Sequence, residues 1–177
     1  MLRKILIVLF VLLSALVLIG MMLPKEVAIR REISIAAPPA KIHQWVGDLK
    51  RWDEWTPWKK DDPTVVVTVG DKTSGVGAHQ KWTSEGGDGW LTFTKSEPAT
   101  GISYDMAFVN GGHETPFKSA LEYRVEGSNT IVVWTMNGTG MGAGMLLDGW
   151  LRVFVSPMIG KMFDQGLADL KVAVEKG

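Results

Sequence analysis

Alternation of apolar and polar residues along the middle of this 177-residue chain restricts it to a fold built on a β-sheet. Residues 27–35 place three isoleucines on one face and Arg30, Glu32 and Ser34 on the other. Short segments rich in Gly, Asn and Asp separate the further candidate strands, and such connections join antiparallel neighbours. These candidates are residues 65–69, 78–84, 90–97, 102–109, 117–126 and 130–138. The sequence therefore predicts one antiparallel sheet of about seven strands.

Helical patterns stand at both ends of this run of strands. Two short helices are expected within residues 40–55. After the last strand, apolar residues recur at helical spacing from Ile159 to Val174, and Pro157 is a favourable first helical residue. Because one face of the sheet needs a cover, and this helix is the only predicted element long enough to supply it, we expect an α+β fold.

The amino-terminal part of the chain contains a long apolar segment. Residues 5–23 contain no charged side chain, follow Arg3 and Lys4, and as a helix would be about 28 Å long, close to the hydrocarbon thickness of a bilayer. A cleaved signal peptide is the alternative. Its apolar core would normally be shorter and end at a small-x-small cleavage site, which residues 18–23 lack. We therefore expect an uncleaved single-pass anchor, residues 1–24, and one domain, residues 25–177.

The composition excludes several classes of function. The chain has 19 basic and 19 acidic residues, no cysteine and three histidines. Balanced charge argues against a nucleic-acid partner, and the absence of cysteine excludes thiol chemistry. The histidines are too far apart for local metal spacing, so we expect no metal and no cofactor. Basic residues flank the apolar segment on both sides, but the very short tail favours a cytoplasmic amino terminus and an extracytoplasmic domain.

Four segments carry a family resemblance: residues 33–42 (ISIAAPPAKI), 52–58 (WDEWTPW), 75–77 (GVG) before a strand containing Trp82, and 166–171 (GLADLK). In this order they resemble the SRPBCC or START-like superfamily, in particular its polyketide cyclase/dehydrase-type branch. The resemblance covers residues 25–177. An apolar segment followed by this domain is also similar to the arrangement in bacterial relatives. It implies a helix-grip fold, a curved antiparallel sheet around the carboxy-terminal helix. Between them it implies a hydrophobic cavity for a lipid-like or polycyclic ligand.

Aromatic and methionine side chains are the candidates for lining that cavity. Alternation places one set on a single face of neighbouring strands, and the last helix adds others; methionine is flexible and suits an irregular apolar ligand. For any single member, an ordinary core position is the competing interpretation. The candidates are Trp82, Tyr104, Met106, Phe108, Phe117, Leu121, Tyr123, Trp134, Met136, Met158, Met162 and Phe163.

Catalytic motifs are missing. The sequence has no G-x-S-x-G elbow, H-E-x-x-H or P-loop, and residues 137–144, rich in glycine, fit a bent connection across the cavity mouth better than a nucleotide loop. Tyr104, Tyr123 and His113 are the available proton donors. The leading hypothesis is a membrane-anchored, non-catalytic domain that binds a small hydrophobic ligand. A polyketide cyclase or dehydratase and a regulatory module at the membrane are the alternatives.

Overall fold

The computed structural model describes residues 1–24, 26–140, 144 and 147–177. The helices are α1 (Leu2–Met22), α2 (Pro39–Val46), a 3-10 helix (Leu49–Glu54), α3 (Trp58–Asp61) and α4 (Asp148–Lys176). The strands are β1 (Glu26–Ile35), β2 (Val66–Val69), β3 (His79–Thr83), β4 (Asp88–Glu97), β5 (Gly101–Asn110), β6 (His113–Glu126) and β7 (Asn129–Thr139). The connection predicted for residues 137–144 falls partly on 141–143, which lie outside the described residues.

The seven strands form one sheet in the order β1-β7-β6-β5-β4-β3-β2, and every neighbouring pair is antiparallel. β3 to β7 follow one another through short turns, such as the pair Gly111 and Gly112, whose positive φ angles suit glycine, whereas residues 70–78 connect β2 to β3. β1 instead pairs with β7, the last strand, with Ile29 opposite Met136. The predicted α+β class, the antiparallel sheet and the long carboxy-terminal helix are confirmed.

α4 begins earlier than the sequence pattern indicates. The predicted start at Pro157 was wrong, because the helix begins at Asp148 and contains Pro157 in its interior. From residue 160 onward α4 packs against the sheet and shows the expected apolar periodicity. Before Pro157 it contacts α1, and Arg152 Nε donates to the Glu26 carbonyl at the start of β1. These first turns lack the apolar sheet-facing stripe by which a helix is recognised in a sequence.

α1 is a 21-residue helix whose side chains are almost all exposed. Within the described part of the chain it is the one helix that is long and apolar enough to cross a bilayer, and a signal sequence would pass the same test. Its carboxy-terminal end meets α4, where Gly20 is buried. β1 starts only four positions after the last residue of α1, so the start of the sheet lies close to the end of this apolar helix.

Candidate functional site

One face of the sheet, here called the inner face, packs against α4 and the 3-10 helix. Residues paired across antiparallel strands lie on the same face, so the register identifies its members. Leu91 pairs with Met106, Met106 with Phe117, and Phe117 with Gly138. All nine predicted cavity residues on the strands fall on this face: Trp82, Tyr104, Met106, Phe108, Phe117, Leu121, Tyr123, Trp134 and Met136.

The part of the inner face under the second half of α4 is filled with aromatic rings, and we call it the closed end. Trp134, fully buried, stacks on Phe163 of α4 with ring centroids 4.0 Å apart. Trp52 of the 3-10 helix contacts Tyr104 at 5.6 Å between centroids. Such close aromatic packing leaves little room for a ligand. The closed end comprises Trp52, Trp55, Phe93, Tyr104, Trp134 and Phe163.

Tryptophan N–H groups at the closed end are satisfied internally. Trp52 Nε1 donates to the Val46 carbonyl at 2.9 Å, and Trp55 Nε1 donates to the Trp45 carbonyl at 3.3 Å. Trp134 Nε1 donates to the Tyr104 hydroxyl at 3.0 Å. A buried polar group without a partner would destabilise the fold. Because these three N–H groups are bonded, the rings can be buried as part of the scaffold.

The opposite end of the inner face is less covered. Phe108 lies between Trp82 and Phe117, with centroids 5.8 and 5.7 Å away, and keeps 40% of its surface exposed. The ring of Trp82 covers Gly89 and that of Phe117 covers Gly138, so a Cβ at either glycine would collide with the ring. The four residues Trp82, Met106, Phe108 and Phe117 form what we call the open end.

Polar groups flank the open end. A solvent-open depression of about 280 Å³ lies between the β5–β6 turn and the start of α4, and its lining includes His113, Glu114 and Asp148. Gln80 pairs with Leu91, which in turn pairs with Met106. It is buried, and its Oε1 has no hydrogen-bond partner among the described residues. Exposed aromatic surface at the open end therefore lies two strands away from a buried acceptor that has no partner in the described part of the chain.

The three predicted cavity residues of α4 lie in different places. Phe163 is buried against Trp134, and Met162 is half-buried beside it. Met158 is more than half exposed on the side of α4 that faces away from the sheet, so it does not line the interior. Five positions separate Met158 from Phe163, which at 100° per residue places them on nearly opposite faces. The role of the remaining set in ligand contact stays a prediction.

Burial favours the neutral form of the two tyrosines of the inner face. Burial raises the pKa of Tyr104 to about 12, opposed by hydrogen bonds from Ser119 and Trp134. Burial also raises the pKa of Tyr123. Neither hydroxyl is suited to giving up a proton near neutral pH. His113, the third candidate donor, is exposed at the start of β6.

Sequence reasoning overlooked His43, on α2. Its Nε2 lies 3.2 Å from Ser96 Oγ and its Nδ1 lies 3.4 Å from the Tyr123 hydroxyl. Burial lowers the pKa of His43, and the negative charge of Glu97 opposes that effect. These partners lie 53 and 80 positions away in the chain, so no local spacing could have indicated the cluster.

Comparisons with known proteins agree with this architecture. A model of the family described as polyketide cyclase/dehydrase and lipid transport matches residues 26–175. The chain matches none of the curated protein sequences with which it was compared. A solved protein from Chromobacterium violaceum is 15% identical with a TM-score of 0.63, covering 84% of this chain and 97% of its own.

Two further solved structures show the same fold. One from Rhizobium leguminosarum is 14% identical with a TM-score of 0.62, and covers 86% of this chain and 96% of its own. DynU16, from the dynemicin biosynthetic locus, is 13% identical with a TM-score of 0.58, and covers 84% of this chain and 47% of its own. The family match supports a domain that binds a hydrophobic ligand. The expected SRPBCC-type resemblance is confirmed, and this chain belongs to the polyketide cyclase/dehydrase and lipid transport family.

Proposed function

We propose that this protein is a membrane-anchored domain that binds a lipid-like or polycyclic ligand at its open end without performing chemistry on it. The observation that carries the proposal is the exposed aromatic surface at Phe108, flanked by Trp82 and Phe117. Aromatic and methionine side chains on a rigid sheet suit apolar recognition. The closed end acts as the scaffold that holds this surface in place.

Gln80 supplies the polar component of the proposed site. Its Oε1 has no partner in the part of the chain that the structure describes, and a ligand hydroxyl or amide that donates to it would supply the missing hydrogen bond. Recognition then depends on an apolar body seated against Met106 and Phe108 and one donor directed at Gln80. A ligand without any donor would bind more weakly.

Retention of α1 is the second part of the proposal. Trp150 of α4 donates its indole N–H to the Leu16 carbonyl of α1 at 3.2 Å, and Gly149 lies against Gly20. Contacts between α1 and the domain favour a permanent anchor over a segment removed during export. Intact mass and amino-terminal sequencing of the protein from isolated membranes test this, and a chain that begins after residue 24 would contradict it.

Ligand binding is tested with the full chain in detergent micelles. Native mass spectrometry identifies co-purified lipids, and the fluorescent fatty acid cis-parinaric acid reports binding by titration. Phe108→Lys places a charge on the exposed aromatic surface and is expected to weaken binding roughly tenfold or more, the equivalent of about 1.4 kcal/mol. Val66→Lys, on the outer face of β2, is the matched control. Equal affinity of both variants and the unmodified chain would overturn the proposed site.

The family's enzymatic alternative has one observation in its favour, the cluster of His43 with Ser96 and Tyr123. A histidine held neutral beside two hydroxyl groups is an arrangement found in acid–base catalysis. His43→Gln separates the two functions. Binding without chemistry predicts unchanged retention of co-purified lipid, whereas turnover of the bound molecule predicts that this variant accumulates a different, unprocessed species in the mass spectrum.

A further inference from the structure

The first three turns of α4 expose an apolar stripe. Its members are Leu147, the residue just before α4, and Phe154 and Met158 within it, which have 57%, 70% and 56% of their surfaces exposed. Their spacings of seven and four positions place them on one face of the helix. Large apolar side chains are common singly on protein surfaces, but a stripe along one helix face indicates an interaction surface.

The stripe points away from the sheet. Gly160, Phe163 and Leu167 mark the buried face of α4, and at 100° per residue the exposed stripe lies about half a turn from them. Beyond Met158 the outward face becomes largely polar, with Lys161 and Gln165 following at helical spacing. The apolar stripe therefore lies in the part of α4 that precedes and surrounds Pro157, and Val172 is a single exposed valine in the polar half.

That part of α4 is also where α1 meets the domain. A Cβ at Gly149 would lie 2.6 Å from the Gly20 carbonyl oxygen and 2.7 Å from Leu23 Cβ, so the two helices approach closely there. The Trp150 indole reaches the carbonyl of Leu16, seven residues before Leu23, which is about 10 Å along the axis of α1. Tryptophan favours the boundary between bilayer and water.

From this continuity with α1 we propose that the first three turns of α4 dock on the lipid surface beside the anchor. Leu147, Phe154 and Met158 then insert into the boundary between headgroups and acyl chains, the depth at which amphipathic helices bind. The inference rests on the proposed anchoring by α1. Docking would hold the domain in one orientation, with the starts of β1 and α4 at the membrane.

Site-specific fluorescence on the full chain tests the docking. Because the protein has no cysteine, single-cysteine variants can be labelled with an NBD fluorophore without altering other sites. The labelled positions are F154C and M158C in the stripe, V172C on the outward face of the polar half of α4, and L12C in the middle of α1. Each protein is reconstituted into vesicles of phosphatidylcholine and phosphatidylglycerol, with and without nitroxide-labelled lipids.

Docking predicts strong quenching by shallow nitroxides at F154C and M158C and at least a threefold weaker effect at V172C. Quenching at L12C but not in the stripe overturns the docking and leaves the anchor intact. Absence of quenching at all four positions overturns both the anchor and the docking. Quenching in the stripe but not at L12C supports docking independently of the anchor. If the stripe is unquenched and the unlabelled F154C variant forms disulfide-linked dimers, lipid docking is overturned in favour of a second copy of this chain.

Discussion

Trp134 and Phe163 lie face to face, with ring centroids 4.0 Å apart and planes inclined by 12°. One ring belongs to a strand in the sheet and the other to α4, so this stack joins the two layers of the domain. The same indole donates to the Tyr104 hydroxyl, which extends the contact to β5. The closed end depends on this arrangement.

Phe163→Ala is expected to reduce the free energy of unfolding by about 3–5 kcal/mol, because it leaves a cavity against a fully buried tryptophan. Val172→Ala on the exposed face of α4 is the control, with an expected change within about 0.5 kcal/mol. Denaturant unfolding in detergent, followed by far-UV circular dichroism, measures both. Equal midpoints would show that the stack contributes no stability.

Alkaline titration addresses the two tyrosines directly, since the chain contains no others. Burial raises the pKa of both, that of Tyr104 to about 12, so the folded protein keeps them protonated above the usual value near 10. Their contribution to stability is therefore complete below pH 10 and declines as pH rises toward 12. Tyrosinate absorbance near 295 nm should stay flat through pH 10 in the native protein, and Tyr123→Phe isolates Tyr104. A native-state midpoint near 10 for Tyr104 would be inconsistent with its buried position.

His43 gives the opposite sign of pH dependence. Burial lowers its pKa below the ordinary value of about 6.5, so the unfolded chain takes up the proton first as pH falls. Its contribution to stability is complete above pH 6.5 and declines as pH falls from there through its folded-state pKa. Proton NMR of the imidazole resonances, assigned with His43→Gln, measures that pKa. A His43 midpoint above 6.5 would be inconsistent with the burial of its ring.

Gln80→Leu should make the ligand-free protein more stable and should weaken ligand binding. Removing a buried acceptor that has no partner among the described residues should raise the free energy of unfolding by about 1–3 kcal/mol, while a ligand loses its hydrogen-bond partner. Denaturant unfolding of lipid-free protein and parinaric-acid titration measure the two effects. Gln80→Glu is a useful counterpart, because a buried charge there should destabilise the fold. Unchanged ligand affinity in Gln80→Leu would remove Gln80 from the proposed site.

Sequence reasoning succeeded where structure is governed by local periodicity. Alternation assigned Trp82, Tyr104 and Phe117 to one face, because strand side chains repeat every two residues. It failed at the start of α4, whose first turns contact α1 and lack an apolar stripe toward the sheet. It also predicted that Met158 lines the interior. Met158 is exposed, because its position five residues before Phe163 places it on a different face of the helix.

What the sequence could not provide is the division of the inner face into a closed and an open end. Trp52 covers Tyr104 and Phe93 because the 3-10 helix folds back over the sheet, a tertiary contact with no local signature. The pairing of His43 with Tyr123 has the same origin. Both depend on how elements distant in the chain meet, and a single sequence carries no direct record of that.

The short passage from Met22 to Glu26 has a consequence for how a ligand would arrive. Four residue steps extend at most about 14 Å, so with α1 in a bilayer the first strand cannot move farther than that from its surface. A poorly soluble molecule would then reach the domain by lateral diffusion within the leaflet, without passing through bulk water. Its uptake would scale with its abundance among the lipids, and aqueous solubility would cease to matter.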